Sequence, residues 1–213
     1  MPAPGVKARV DRFWRAVRRL KTISEVGEEN LDREFVEYIR NLRMSPSAFM
    51  VFLGVDMDLS SYPSLIKNLD EGFGIIINSN ADPSLAPKGM ASVTLITLAN
   101  YYDFPERGTR EYLEKKKEAA EALILKAEKV IPGLSKHIVV QDAATPKTFE
   151  RYTLMPEGAI YAFDQSMGVK RPYFKTPVKG LYLASASTFP GGGIEAVVIS
   201  GIICANDICG WKR

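Results

Sequence analysis

Apolar residues recur along this chain at two spacings, one typical of helices and the other typical of strands. The helical spacing of three or four positions predicts amphipathic helices over residues 6–21 and 30–43 and a long helix over residues 109–130. Asn30 is the expected N-cap of the second helix. Prolines follow the second and third of these segments, where they are expected to end the helices.

Strands are predicted where apolar residues alternate with polar ones or run together over shorter stretches. The segments that fit are residues 48–59, 72–80, 91–102 and 138–142. A turn-rich link without a helix separates the second from the third, so we expect these two strands to pair antiparallel. Residues 48–59 carry apolar side chains on both faces, which predicts a strand buried between two layers. A further helix is expected to start at Thr145-Pro146.

The C-terminal part of the chain predicts a strand, a glycine turn and a helix. A short apolar strand is expected at residues 181–184, a turn at Pro190-Gly191-Gly192-Gly193, and a helix over residues 194–208. The first amides of a helix have no partner within it and lie at the positive end of its dipole, so an anionic or electron-rich group is stabilised there. The pattern is neither a P-loop nor a complete GxGxxG motif. Taken alone, the glycines are equally compatible with a tight loop before a packed helix.

Composition and charge narrow the classes of function. The chain has 213 residues, 46% of them hydrophobic and 25% charged, which is typical of a folded globular protein. A net charge of +3 gives no electrostatic basis for binding nucleic acid. With no long apolar run and no signal-peptide pattern, we expect a cytoplasmic protein. The basic helix at residues 6–21 either docks on the rest of the protein or makes peripheral contact with an anionic membrane.

Cysteine and histidine are too scarce for a metal site of the zinc type. Cys204 and Cys209 lie five positions apart in the last predicted helix, where they point in different directions, so both are expected to be free thiols. His137 is the only histidine, and its position just before a predicted strand favours a structural or surface role. We therefore expect no metal.

Residues 180–211, with the sequence GLYLASASTFPGGGIEAVVISGIICANDICGW, resemble the C-terminal flavin-binding signature of the phytoene desaturase, carotenoid isomerase and retinol saturase family. Upstream residues match in order: Thr145-Pro146, Arg151-Tyr152-Thr153, Gly158, Tyr161, Gln165, Arg171-Pro172 and Thr176-Pro177. The resemblance covers residues 45–211. The chain departs from the family at Ser185 and Ser187, where many members have glycine, at Glu195, and in lacking the GxGxxG unit.

The resemblance implies an α+β fold. It consists of an antiparallel-sheet substrate domain with covering helices, plus the terminal strand and helix of an incomplete Rossmann-type FAD-binding domain. We expect N-terminal helices in residues 1–44, the substrate-domain sheet and helix in residues 45–145, and a cofactor-closing segment in residues 146–213.

The resemblance also implies FAD as cofactor and a set of residues around it. The backbone amides of Ile194 and Glu195 would face the flavin pyrimidine ring, and the ribityl or pyrophosphate region would be bordered by a small-residue stretch. The expected cofactor-binding residues are Ala186, Ser187, Thr188, Gly191, Gly192, Gly193, Ile194 and Glu195. The sequence indicates no catalytic acid or base. Asp164, Gln165 and Arg171 either touch flavin or substrate or have a structural role.

The implied function is that of the C-terminal half, or one subunit, of an FAD-dependent oxidoreductase. Such an enzyme acts on carbon–carbon bonds of an apolar, isoprenoid-like small molecule. It needs an N-terminal dinucleotide-binding domain or subunit as partner, so we expect the chain to be inactive alone. Two alternatives stay open: a non-catalytic module for lipid or isoprenoid binding or for assembly, and a fragment of an amine-oxidase-like flavoprotein. A homo-oligomer is also left open.

Overall fold

The computed structural model describes residues 32–210, which form ten helices and strands joined by loops and short 3-10 turns. In chain order these are α1 (Arg33–Asn41), β1 (Ser47–Val55), β2 (Leu65–Asn68), β3 (Phe73–Ile77), α2 (Asn78–Ala81), β4 (Ala91–Ala99), α3 (Arg110–Glu128), β5 (Ile138–Ala144), α4 (Pro146–Thr153) and α5 (Ile194–Ile208). The helix predicted at residues 6–21 lies outside the described residues. The chain divides into two compact units, one of Ser47–Phe149 and one that includes residues 32–46 and 150–210.

The unit of Ser47–Phe149 is built on a five-stranded sheet in the order β2-β3-β4-β1-β5. Every neighbouring pair is antiparallel, including β3 with β4, where Ile75 lies opposite Leu95. The predicted antiparallel pairing of these two strands is therefore confirmed. Together with the helices, the sheet gives the α+β class expected from the sequence.

The hydrophobic core of this unit lies on one face of the sheet, beneath α3. On β1 the alternate residues Phe49, Val51, Leu53 and Val55 are at most 3% exposed, and α3 covers them with Ala120, Leu123, Ile124 and Ala127. The intervening residue Phe52 is 41% exposed. Ala48, on the same face as Phe52, is 0% exposed. The prediction that residues 48–59 are buried on both faces is therefore confirmed at Ala48 and wrong at Phe52, which the described residues leave uncovered.

Two predicted boundaries, the end of β3 and the start of α1, differ from the structure, and at both of them a polar side chain forms hydrogen bonds with nearby groups. The strand predicted at residues 72–80 ends at Ile77, since Asn78 donates to the Thr94 hydroxyl at 2.9 Å and Asn80 donates to the carbonyls of Leu59 and Tyr62 at 2.8 Å. α1 is capped by Asp32 rather than Asn30, with the Asp32 carboxylate accepting from the Phe35 amide at 2.9 Å.

The unit containing residues 150–210 is largely irregular before α5. The strand predicted at residues 181–184 was wrong: Tyr182 forms a single antiparallel bridge with Lys175. A strand needs a row of backbone partners, and within the described residues only this one pair forms. The helix predicted at residues 194–208 is confirmed with the same ends as α5.

Candidate functional site

The N-terminus of α5 presents backbone donors that are not used within the protein. Gly193 precedes the helix with φ 105° and ψ 152° and provides no side-chain cap, and the first helical bond runs from the Val197 amide to the Gly193 carbonyl at 3.0 Å. Among residues 32–210 no acceptor is bonded to the amides of Ile194, Glu195 or Ala196. Ile194 is 81% exposed. The positive end of the helix dipole therefore faces outward with unpaired N–H groups.

Glycine is required in the preceding turn for two different reasons. Gly191 has φ 132° and Gly193 has φ 105°, conformations that strain any residue with a side chain. Gly192 is not in that region, but a Cβ atom there would lie 2.5 Å from Cδ1 and 2.8 Å from Cβ of Tyr161. Gly192 thus packs directly on the Tyr161 side chain, and its place in the turn is fixed by contact with protein.

The side-chain amide of Gln165 forms three hydrogen bonds. Its Oε1 accepts from the Gly192 amide at 3.2 Å, and its Nε2 donates to the carbonyls of Tyr161 and Phe163 at 2.9 and 2.6 Å. A Cβ on Gly191 would overlap Gln165 Oε1. The side chain thus joins the loop at residues 161–163 to the glycine turn.

Arg171 contacts the same turn from its other flank. Its Nη2 donates to the Pro190 carbonyl at 3.0 Å and its Nη1 to the Asp164 carbonyl at 3.5 Å, while its Nε is buried without a partner. The hydroxyl and amide of Ser166 lower the pKa of the Asp164 carboxyl, and the positive charges of Arg43 and Arg171 add to this effect. The sequence marked Asp164, Gln165 and Arg171 as candidates, but nothing in it indicated that two of them hold the turn.

The small-residue stretch before the turn is anchored through Thr188. This residue is fully buried, and its hydroxyl donates to the Ser185 carbonyl at 2.9 Å and accepts from the Ser185 amide at 3.3 Å. Ser187 donates its amide to the Ser185 hydroxyl at 3.1 Å. The side chain of Thr188 is thus committed to the protein. The cofactor contacts expected of Ala186, Ser187 and Thr188 stay predictions. For Thr188 the hydroxyl and the backbone amide are both bonded within the protein, the amide to the Ser185 carbonyl at 3.2 Å.

The Glu195 carboxylate lies close to the start of the helix. Its Oε2 is 3.9 Å from the point that a Cβ on Gly193 would occupy, and the residue is exposed. The carboxylate therefore lies beside Gly193 and adds negative charge near the start of α5. Because the side chain is exposed and α5 has no side-chain cap, it is free to turn aside when a ligand approaches.

An apolar stripe runs along α5 from the same end. Ile194, Val198 and Ile202 are spaced four residues apart, which places them on one face, and they are 81%, 56% and 50% exposed. Exposed apolar surface of this kind marks a contact surface. Cys204 lies on the buried side of α5, whereas Cys209, just after the helix, is exposed, and both are free thiols as predicted.

In the unit of Ser47–Phe149, the uncovered face of the sheet is largely apolar, although Thr94 lies on it opposite Phe52. Phe52, Leu98 and Val140 are 41%, 65% and 64% exposed, and Met50 lies directly opposite Ile96 on the same face. Phe52 lies opposite Asp142, whose carboxylate is bonded to Lys116 at 3.1 Å and to the Ala143 amide at 2.7 Å. These bonds lower the pKa of Asp142 and hold its charge at the edge of a largely apolar surface.

His137 has a structural environment in the same unit. Its Nδ1 lies 3.0 Å from Asp56 Oδ1, and the Asp56 amide donates to the His137 carbonyl at 2.9 Å. Both contacts tie the end of β1 to the start of β5.

Within residues 32–210 no helix is long and apolar enough to cross a membrane.

Comparison with known proteins gives one family. The family model described as flavin containing amine oxidoreductase matches residues 17–209. Prolycopene isomerase from Daucus carota is 29% identical over 216 residues, which cover 94% of this chain and 34% of the relative. Phytoene desaturase (neurosporene-forming) from Rhodobacter capsulatus is 31% identical over 134 residues, which cover 61% of this chain and 25% of the relative.

A solved structure shares the fold. The crystal structure of an oxidoreductase from Methanosarcina mazei matches with a TM-score of 0.58 at 16% identity, covering 86% of this chain and 39% of that one. The chain spans about a third of the length of the curated relative from Daucus carota, of which 34% is covered.

Proposed function

Because the chain belongs to the flavin-containing amine oxidoreductase family, we propose that it forms the cofactor-closing and substrate-covering part of an FAD-dependent oxidoreductase. The sequence resemblance to phytoene desaturases and carotenoid isomerases is confirmed by the relatives that match. The observation that carries the proposal is the set of unpaired, outward-facing amides at Ile194, Glu195 and Ala196. They lie in the segment that resembles the family's flavin-binding signature.

These amides suit the pyrimidine end of a flavin. That end presents carbonyl acceptors, and it gains negative charge when the ring is reduced. Donors fixed in advance at a helix N-terminus stabilise such charge without having to reorganise. The amides of Ile194 and Glu195 would therefore bind the reduced form more strongly than the oxidised form. Gly191 and Gly193, with their positive φ angles, allow the turn that leaves these donors uncovered.

FAD, when bound, would supply the electron-pair chemistry, and the residues of this chain would position it and shield it from water. The turn at residues 190–193 would close over one end of the cofactor. The apolar face at Phe52, Leu98 and Val140 would exclude water from the substrate. No side chain of this chain is assigned as an acid or base.

The substrate class proposed is an apolar, isoprenoid-like molecule that reacts at carbon–carbon bonds. Two findings support it. The relatives carry the names prolycopene isomerase and phytoene desaturase. The uncovered sheet face is largely apolar. The nearby Asp142 carboxylate is already bonded to Lys116, so its charge is not free to attract an ammonium group.

A dinucleotide-binding domain or subunit is the partner proposed for α5. The stripe of Ile194, Val198 and Ile202 is exposed in the described part of the chain, and covering it would remove apolar surface from water. The chain spans only 34% of its relative from Daucus carota, so a large part of such a protein is available to cover the stripe. On this account the chain alone retains no flavin and has no activity.

The test is to express the chain alone and together with a dinucleotide-binding part of the same enzyme, and to record flavin absorbance after purification. The proposal expects flavin only in the complex, and expects the cofactor released on denaturation to be FAD by mass. A folded complex that stays colourless after incubation with FAD would refute the proposal and support a non-catalytic module.

The same complex decides between the two classes of substrate. An apolar polyene and a primary amine are each added to the oxidised complex without oxygen, and bleaching of the flavin band is recorded. The proposal expects a response to the polyene. Bleaching by the amine alone would assign the chain to amine oxidation, the chemistry after which the family is named.

A further inference from the structure

We propose that Gln165 is a positioning residue that sets the direction of the α5 amides by holding the glycine turn. The inference rests on the proposed function, since the turn matters for catalysis only if a flavin binds beside it. Gln165 itself need not touch the cofactor. It acts through Gly192, which lies two residues before Ile194.

The contacts of Gln165 require both a donor and an acceptor on one side chain. Nε2 donates to the carbonyls of Tyr161 and Phe163, and Oε1 accepts from the Gly192 amide. A side-chain amide provides two donors and an acceptor at the end of one planar group. Glutamate in its charged form has acceptors only, so it would face the two carbonyls with negative charge. Methionine retains the length of the side chain but loses all three bonds.

The turn is held on both flanks of Gly191, but not equally. On one side Arg171 donates to the Pro190 carbonyl at 3.0 Å, and on the other Gln165 accepts from the Gly192 amide at 3.2 Å. The buried Nε of Arg171 has no partner, whereas the amide of Gln165 has hydrogen bonds at both its nitrogen and its oxygen. Gly191 leaves the space that Gln165 Oε1 occupies. Gln165 is therefore the better satisfied of the two anchors.

Release of Gly192 would let the start of α5 shift relative to the loop at residues 161–163. A misplacement of about 1 Å costs up to about a hundredfold in a reaction that depends on orientation. The reduced flavin depends most on the amides, because it carries the negative charge that they stabilise. Loss of the anchor should therefore weaken binding of reduced flavin more than binding of oxidised flavin.

The experiment compares Gln165→Glu with the matched change Gln141→Glu in the assembled holoenzyme. Gln141 is exposed on β5 in the other unit, so its variant reports the effect of an added surface charge there. Gln165→Met removes the three hydrogen bonds without adding charge, so a lower potential in that variant too separates positioning from a direct effect of charge. The dissociation constant and midpoint potential of the flavin are measured for all three variants. For Gln165→Glu we expect the dissociation constant of reduced flavin to rise about tenfold more than that of oxidised flavin. This difference is equivalent to a midpoint potential about 30 mV more negative than in wild type, for a two-electron couple. Gln141→Glu should change neither.

The pH profile separates positioning from a general loss of structure. Protonation of the introduced carboxyl restores one donor toward the two carbonyls, so the defect of Gln165→Glu should shrink at acidic pH relative to wild type at the same pH. Gln165→Met has no proton to gain, so its defect should not change with pH. A pH-independent defect in Gln165→Glu would contradict the proposed bonding.

The outcomes distinguish this inference from the proposed function. If wild-type holoenzyme binds no flavin, the proposed function fails. If wild type binds flavin while Gln165→Glu has the same potential, only the positioning role fails. Should both Gln165 variants fail to fold, hydrogen exchange on wild type decides: the Gly192 amide must exchange slowly, and rapid exchange there would overturn the inference.

Discussion

The hydroxyl groups of Thr188 and Ser200 lie 2.7 Å apart, and both residues are at most 1% exposed. Thr188 belongs to the loop before the glycine turn, and Ser200 lies in the middle of α5. Their hydrogen bond joins the two segments that meet at the turn. It therefore fixes the helix along its length, while Gln165 holds its start.

Replacing Thr188 by valine should destabilise the protein by about 1–3 kcal/mol, because it leaves the buried Ser200 hydroxyl and the Ser185 amide without their partner. The shape of the side chain is nearly preserved, so the loss reports hydrogen bonding. Urea unfolding of the assembled protein measures it. In a double-mutant cycle Ser200→Ala should add less on top of Thr188→Val than it does alone. Full additivity would show that the two hydroxyls do not interact.

Gly192→Ala should release flavin, because the new Cβ would lie 2.5 Å from the Tyr161 ring and force either the ring or the turn to move. Gly54→Ala is the matched control, since its Cβ would make an ordinary contact of 3.4 Å with Val140. We expect at least a tenfold rise in the flavin dissociation constant for Gly192→Ala, equivalent to about 1.4 kcal/mol, and no change for Gly54→Ala. Equal affinity in both variants would contradict the packing described for Gly192.

Glu195→Gln should raise the midpoint potential of the flavin. The carboxylate lies beside Gly193 at the start of α5, where it opposes the negative charge of a reduced ring. Glu111→Gln is the control, because Glu111 occupies the corresponding first-turn position of α3. Spectroelectrochemical titration should show a more positive midpoint potential for Glu195→Gln and an unchanged midpoint potential for the control. An unchanged potential in Glu195→Gln would mean that the carboxylate points away from the cofactor.

Val198→Asp should separate the chain from its dinucleotide-binding part. The substitution places a charge in the middle of the exposed α5 stripe, where docking would have to bury it. Leu125→Asp introduces the same charge on α3, at a side chain of similar exposure in the other unit. Co-purification should be lost for the first variant and kept for the second. Co-purification of both at wild-type yield would rule out α5 as the contact surface.

Much of the fold was predictable because local patterns determine it. The alternation Phe49, Val51, Leu53 and Val55 gave β1, and the glycine run followed by apolar residues gave the ends of α5. The four-residue strand β2 was missed, since Leu65–Asn68 is too short to show a period. The strand expected at residues 181–184 failed for the opposite reason. Its sequence is apolar and strand-like, but strand formation depends on partners distant in the chain.

The candidate site was predictable in its backbone and not in its side chains. The unpaired amides follow from glycine before a helix, which sequence shows directly. The hydrogen bonds of Gln165 to Tyr161, Phe163 and Gly192 depend on how an irregular loop folds back on the turn, and no spacing rule predicts them. Thr188 was expected to border the cofactor, but its hydroxyl is turned into the protein toward Ser200.

The midpoint potential of the flavin in an Ile194→Pro variant tests the central claim most directly. Proline is tolerated at the first position of a helix, so this change removes one of the unpaired amides and leaves α5 intact. Arg110→Pro makes the same change at the first position of α3 and serves as control. We predict a potential more negative by about 30 mV, a tenfold loss of preference for reduced flavin, in Ile194→Pro alone. Identical potentials in wild type and both variants would contradict the account.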